Sequence, residues 1–598
     1  MDFVAAGRAA RKIALPGLTM LFLLVSIPPA VAESASDKTL HGIAQDYIRA
    51  LPALSPSNAT VLGDHSKDDV LDDVGRQGRE KRRKLLQGFA RRLQKVDREE
   101  LSAANQVDAA ILANQLAADL FSIDQLQEWA WNPVYYVNLV GSALYGLMAR
   151  DFAPLEVRLQ SATARLEAIP RFLRQTRREL QPERVPKIHA ETAIAQNSGI
   201  ISIVETMMLP QVDSLSAEDR QRFEAATATA SEALAAHQTW LEEELLPRAT
   251  GNFRIGEALY DAKLKFTLNS PLSRREILAR AENEYASVRN QMYEVSKEIY
   301  VRQHPLTAFP DIPDESYKQA IIRAALEQAY KNLPDPDAIV ATAKRYLQQA
   351  TDFVIEKNIV TVPDDPVEII VMPEFQRGVS LAYLDPAGPL EENGTSFYAV
   401  APLPTNWSPQ QVDSFLREYN LLSLQILTIH EGTPGHYLQL ALSNRYPSEL
   451  RSVLWSGPFV EGWGSYAERV MVDEGYMDND PLMRLINLKW YVRTITNAII
   501  DQSIHVDGMS RDAAMNLMIE GAFQEEREAA AKWVRAQLTS AQLSTYFVGY
   551  QEHMDMRAAV QQAWGEEFTL RRYHDQALSY GSPPVRYVRA LMLGEPIR

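Results

Sequence analysis

From about Lys38 to Trp240 apolar residues recur at the three-to-four-residue spacing of helices that bury one face, as in LLQGFARRLQKVDREELSAANQVDAAILANQLAADL. Few Gly or Pro residues interrupt this half, so it predicts packed helices. The Ala-rich run LSAEDRQRFEAATATASEALAAHQ has no fixed repeat and predicts one more helix, opened by Ser216. The pattern changes after Pro247. ATGNFRIGEALYDAKLKF begins a second region, and a long helix follows from Leu272, where Ser273 can cap RREILARAENEYASVRNQMYEVSKEIY. Three short β-branched and aromatic runs then arrive close together: VEIIVM (Val367 to Met372), VSLAYL (Val379 to Leu384) and SFYAVAP (Ser396 to Pro402). They predict one small sheet just upstream of the stretch LTIHEGTPGHYLQL, and sequence neighbours tend to be neighbours in space. The expected fold is mainly α, a large helical body with a small sheet beside a pair of site helices and a central cleft. The first region spans 33–250 and the second 251–598, with the sheet at about 360–402 and the chemistry at 430–468.

Composition narrows the setting. The 598 residues are 46% hydrophobic and 23% charged, which is ordinary globular material and not a disordered chain. With 77 acidic against 61 basic residues the formal charge is −16 and no long basic tract occurs, which argues against a nucleic-acid partner. Residues 1–32 have the layout of a secretory signal: Arg8, Arg11 and Lys12, then LPGLTMLFLLVSI, then small residues at Ala30 and Ala32. Cleavage after Ala32 is expected, with retention as an anchor the alternative. No later segment reaches the roughly 18 uninterrupted apolar residues of a membrane span. The absence of cysteine removes disulfides, thiol chemistry and cysteine lipidation. The expected location is periplasmic or secreted.

The stretch from Leu427 to Leu440 carries two histidines and a glutamate within seven residues. Imidazole and carboxylate are good Zn²⁺ ligands, and a catalytic zinc site takes three protein ligands and leaves a position for water. A glutamate beside the first histidine can act as general base on that water. In the usual H-E-x-x-H arrangement the histidines lie four apart on one helix face. Here His430 and His436 lie six apart, and on a regular helix their side chains would diverge by roughly 240°. Gly432, Thr433, Pro434 and Gly435 are poor helix formers, so the helix should break there, and looping out two residues would return His436 to the face of His430. The plain alternative is an apolar helix that ends at a Gly-Pro-Gly turn. Downstream, EGWGSYAERV supplies Glu461 as a third ligand from a second helix, the way thermolysin-type sites are completed. Glu468 follows seven positions later on the same face, either as a partner of a ligand imidazole or as a solvated salt-bridge residue.

Several stretches together carry a resemblance: HEGTPGH, EGWGSYAE, DQSIHVDGMSRDAA, YFVGYQEHMDMR, FTLRRYHDQALSYGSPPVRYVR and, earlier, IGEALYDAKLKF. The chain resembles the bacterial domain-of-unknown-function 885 family (DUF885), distantly related to the gluzincin metallopeptidases. The resemblance covers most of the chain from about residue 40 and is more specific in the last 350 residues. It implies a gluzincin-like, largely helical body, a Zn²⁺ ion held by two His and one Glu, and peptidase activity. It also lifts His505 and Tyr546, which match family motifs, into candidate donors for a tetrahedral oxyanion. One departure stands out: the family's Pro-Gly-Gln-Ala-type stretch before Tyr546 reads SAQL here and keeps only Gln542.

The remaining candidates have ordinary readings beside the chemical ones. His553 and His574 read as core or surface histidines, and Trp407, Trp455, Trp463 and Trp490 as core. Arg493, Arg557 and Arg586 can bind a peptide carboxylate bidentately, though helix-surface arginines are common. The expected function is a secreted zinc-dependent metallopeptidase, a hydrolase of oligopeptides in which Glu431 and Zn²⁺ activate water. Two alternatives stand beside it, a non-catalytic binding protein on the same scaffold and a metal-dependent amidase with a non-peptide substrate. The helical first half is expected to pack over the site, and SFYAVAP to offer an open strand edge to a peptide backbone.

Overall fold

The computed structural model describes residues 33–597 apart from 374, 375, 377–380, 392, 393 and 405. The expected signal segment, and Val379 and Ser380 of the second expected strand, lie outside the described residues. The chain is mainly helical with one small sheet. Helix α1 (Ala35–Leu54) opens on a reciprocal cap between Ser34 and Asp37. Helices α2 (Ala103–Phe121), α3 (Pro133–Met148), α4 (Leu155–Glu179), α5 (Lys187–Ile203) and α6 (Ala217–Trp240) follow, the last opened by Ser216 as its sequence predicts. Buried Leu144, Leu166, Phe172, Phe223 and Leu234 give α3–α6 a core of their own. Helix α7 (Arg274–Gln303) begins at the predicted Ser273 cap and enters a second, larger core that runs from Tyr260 to Met592.

A third core joins the ends of the chain. Leu40, Ile43 and Tyr47 of α1 and Ile111, Leu112 and Leu116 of α2 pack with Leu450, Val453 and Tyr587. At its edge Arg451 is fully buried. Its guanidinium pairs with Asp108 of α2 and donates to the carbonyls of Ala104 (2.7 Å) and Tyr580 (2.8 Å). Ser448 donates to the other oxygen of Asp108.

The strands are β1 (Val367–Val371), β2 (Ala382–Asp385) and β3 (Ser396–Val400), in the order β1-β3-β2. β1 runs parallel to β3, and β2 runs antiparallel to it. This corrects the expectation that SFYAVAP forms an open edge. Its residues Tyr398, Ala399 and Val400 are buried, and the strand with the most buried side chains takes the centre, paired on both sides. The edge on the site's side is β2. Tyr398 seats the sheet on the helix that carries the first histidine, its hydroxyl lying 3.5 Å from that of Thr428. No described helix is long and apolar enough to cross a membrane.

The Asp108–Arg451 pair yields a stability prediction. Asp108→Ala leaves a buried guanidinium without its counter-charge, which costs about 3–5 kcal/mol. Chemical denaturation followed by circular dichroism should show that loss, and replacing both residues with apolar ones should recover much of it.

Candidate metal centre

Helix α8 (Leu421–Glu431) starts at Asn420, whose side chain accepts from the N–H groups of Leu422 and Ser423. It ends where the residue types say it must. Gly432 closes the last turn onto Thr428 O (2.9 Å), the Gly435 N–H turns back onto Ile429 O (3.0 Å), and α9 (His436–Ser443) starts afresh at the second histidine. A side chain at Gly435 would lie 2.0 Å from the carbonyl oxygen of His430, so the return is open to glycine alone. The two imidazole rings finish 4.5 Å apart, centroid to centroid.

Helix α10 (Gly457–Asp473) supplies the carboxylates. Glu461 Oε2 lies 3.6 Å from His430 Nε2 and 3.4 Å from His436 Nε2, and the three donor atoms fall within 4.8 Å of one another. Tetrahedral ligands at about 2.0–2.1 Å from a zinc ion stand roughly 3.4 Å apart, so these side chains fit one ion after small movements. Glu468, two turns along α10, takes the other nitrogen of His430: Nδ1 to Oε1 is 2.7 Å. That bond directs Nε2 toward the shared point. Nδ1 of His436 is buried without a partner among the described residues.

Burial alone would lower the His430 pKa, but its bonds to Glu461 and Glu468 outweigh that and hold it well above the ordinary histidine value. For Glu461 burial is likewise outweighed, and the two histidines hold it well below the carboxylate range. Glu431 is pushed upward by burial, with the histidines offsetting part of the shift.

Two glycines make the geometry possible. A Cβ on Gly464 would lie 2.6 Å from Cε1 of His430, so the imidazole rests directly on the backbone of α10. Two residues earlier, a Cβ on Gly462 would lie 2.3 Å from the backbone of Gly549 in α13 (Ser544–Trp564). The helix with Glu461 and the helix with Tyr546 therefore meet backbone to backbone.

These groups line a cavity of about 500 Å³. His430, Glu431, His436, Glu461 and Glu468 stand on one wall, with Leu381 to Leu384 of β2 and the residue before it alongside. The Leu384 N–H points away from β3 and donates to Glu431 Oε2 (3.0 Å). The far wall comes from α11 (Pro481–Gln502), α12 (Glu526–Leu538) and α13. Tyr546 lies there, its ring 6.4 Å from that of His430. Its hydroxyl accepts from Arg535 Nη2 (3.0 Å), and burial, partly offset by Arg535, raises its pKa so that it stays a neutral donor.

The structure does not bring His505 to this cavity. Its Nε2 donates to Ala536 O (2.8 Å), its ring stacks on Tyr260, and burial lowers its pKa. It is buried in the short turn Ser503–Asp507 that continues α11, and it is not among the described residues that line the cavity. Trp455 is also corrected: half its surface is exposed at the cavity rim, whereas Trp463 is buried. Of the three arginines, Arg493 lines the cavity. Arg586 bonds Asn269 and Tyr587 outside it, and Arg557 interacts with Tyr466 in the core. His553 and His574 are buried against main-chain oxygens. Sequence reasoning missed Arg535 and Lys532, although their spacing of three on an amphipathic segment places both on one helix face.

The model of a family described as bacterial proteins of unknown function, DUF885, matches residues 56–592. The chain belongs to the DUF885 family. A solved protein from Shewanella oneidensis, described as a candidate lipoprotein of unknown function, is 33% identical, with 93% of this chain and 99% of that one covered at a TM-score of 0.77. A candidate lipoprotein from Colwellia psychrerythraea shares the fold at 17% identity, with 93% and 98% covered and a TM-score of 0.74. No curated protein matches this DUF885 chain.

Gly464→Ala should displace the His430 ring. The expected result is a folded protein, destabilised by about 1–3 kcal/mol as overpacked sites are, that binds Zn²⁺ more weakly than the parent in a chelator competition. A change at Gly508, which meets nothing within 4 Å, should leave that competition unaffected.

Proposed function

We propose that this protein is an extracytoplasmic zinc-dependent peptidase of short peptides. The observation that carries the reading is the convergence of His430 Nε2, His436 Nε2 and Glu461 Oε2, with Glu431 beside them in one cavity. This donor set is that of thermolysin-type zinc peptidases, which supports the gluzincin-like relationship. The description of two solved relatives as candidate lipoproteins supports a place outside the cytoplasm.

Zinc in such a site supplies Lewis acidity, polarising the scissile carbonyl and acidifying the attacking water. Glu431, steadied by the Leu384 N–H, takes the proton of that water and returns it to the leaving amine. Glu468 holds the His430 ring in the orientation that presents Nε2. Tyr546, polarised by Arg535, donates from the far wall to the oxygen that gains charge in the transition state. The cavity is the central cleft of the proposal and lies in the catalytic region, 251–598; its described lining runs from Leu381 to Tyr546 and includes no residue of the first region, 33–250, that was expected to pack over it. Because Leu381 O accepts from Ala401, just past β3, and the Leu384 N–H faces away, the alternation of an antiparallel pair turns the main-chain groups of Ala382 away from β3, where an incoming main chain could pair with them.

Metal analysis and a mixed-peptide digest, each with and without chelator, test this reading. Alanine at His430, His436 or Glu461 should strip the zinc and the activity together. Glu431→Gln should keep zinc and lose roughly 10²–10⁴-fold in rate; full activity in a zinc-loaded Gln variant overturns the assignment. Tyr546→Phe should lower kcat with little change in KM, the mark of an interaction made mainly in the transition state.

A further inference from the structure

The wall opposite the two histidines is strongly cationic, and the reaction just proposed uses little of that charge. Arg493, Lys532 and Arg535 all line the cavity. With Lys489 beneath them, four cations are packed around two carboxylates, Glu418 and Glu528. Those two acids are already engaged. Glu418 accepts from Lys489 (2.8 Å), and Glu528 accepts from Arg493 and from the Tyr419 hydroxyl.

Lys532 and Arg535 are left over. Lys532 Nζ comes no nearer than 3.8 Å to Glu528 and makes no hydrogen bond among the described residues. Arg535 has no carboxylate within ion-pair distance among them, and Glu461 acts on it only from farther off. Its Nη2 serves two neutral oxygens, on Gln542 and Tyr546, while Nε and Nη1 make no hydrogen bond among the described residues. A buried nitrogen of Arg493, Nη1, lies 3.5 Å from Glu418 Oε1 but makes no hydrogen bond among the described residues. Buried cations in excess of their carboxylates are costly unless an anion joins them. Burial, together with the charges of Arg493 and Arg535, holds the Lys532 pKa well below the ordinary lysine value, in keeping with a missing anion.

Position identifies the anion. Arg535 touches Tyr546, and the Tyr546 ring is 6.4 Å from that of His430. At about 3.3–3.6 Å per extended residue, an anion held by Arg535 and Lys532 lies roughly one or two residues from a carbonyl at the histidines. In a short peptide the group that always occurs there, whatever the side chains, is the terminal carboxylate. We propose that Lys532 and Arg535, backed by Arg493, seat the free C-terminal carboxylate of the substrate. The enzyme would then remove one or two residues from the C-terminus of short peptides. This rests on the peptidase reading above. The chemistry balances as hydrolysis: the C–N bond breaks, the water oxygen bonds to the carbonyl carbon, one water proton goes to the leaving nitrogen, and the released fragment keeps its original carboxylate.

The test compares acetyl-tetraalanine with a free carboxylate against the same peptide as its C-terminal amide. Calorimetric titration into zinc-loaded Glu431→Gln protein should show the acid binding roughly tenfold or more tightly, as charge-assisted pairing requires. Lys532→Met and Arg535→Gln should bring acid and amide to the same affinity. Equal binding of acid and amide to the Glu431→Gln protein overturns the proposal, and needs no cationic-wall variant to fold. With the parent enzyme, alanine or dialanine should be released from the acid and not the amide; equal cleavage of both overturns the carboxylate seat while leaving a peptidase. A binding preference for the acid without any cleavage supports the seat and removes the peptidase reading instead.

Discussion

Contact between bare backbones sets the dimensions of the candidate centre. Gly462 lets α10 lie against α13 at Gly549, and two residues on, Gly464 lets the same helix serve as the floor beneath the His430 ring. A methyl group at Gly462 would meet main-chain atoms that cannot turn aside, and one at Gly464 would press on the His430 ring. The carboxylates that hold the histidines hang from α10: Glu461 reaches both histidines, and Glu468 grips the back of one of them. The first helices contribute indirectly. The Asp108–Arg451 pair and the core shared by α1, α2 and Leu450 hold the segment that leads into α10.

Much of this was legible in the chain, and the unread parts have identifiable reasons. The six-residue histidine spacing contradicts a regular helix, and Gly432 to Gly435 supply the residue types that resolve the contradiction, so the break could be predicted. Glu461 and Glu468 could be placed on one face by helical period. The caps at Ser216 and Ser273 were equally local signals. Strand order was not local. SFYAVAP looks like any short strand, and its central position follows from packing against Thr428 on a distant helix. His505 misled because motif position says nothing of depth, and the ring ends up bonded to a carbonyl of α12. The cationic wall draws on α11 and α12 together, so the individual residues look like ordinary helix charges until the tertiary fold assembles them.

Charge is sorted across the cavity. Carboxylates and imidazoles occupy one wall, while the opposite wall holds Arg493, Lys532 and Arg535 around too few acids. Tyr546 stands between the two sets, near His430 on one side and bonded to Arg535 on the other. A neutral donor at that boundary can answer to both without adding a charge that either wall would have to balance.

The grip of Glu461 and Glu468 on opposite nitrogens of His430 has a further outcome for the protein's tolerance of acid. Holding both nitrogens against carboxylates favours the imidazolium, so a proton on His430 can tie the two acids together. Since the folded pKa is raised, that stabilisation is fully present below the ordinary histidine value of about 6.5 and is lost as the pH rises through the raised folded value. A divalent ion at the same point behaves in the opposite sense, because it needs the imidazole neutral and binds more tightly as protons leave. On the peptidase proposal, proton and metal would thus be rival placeholders for one position.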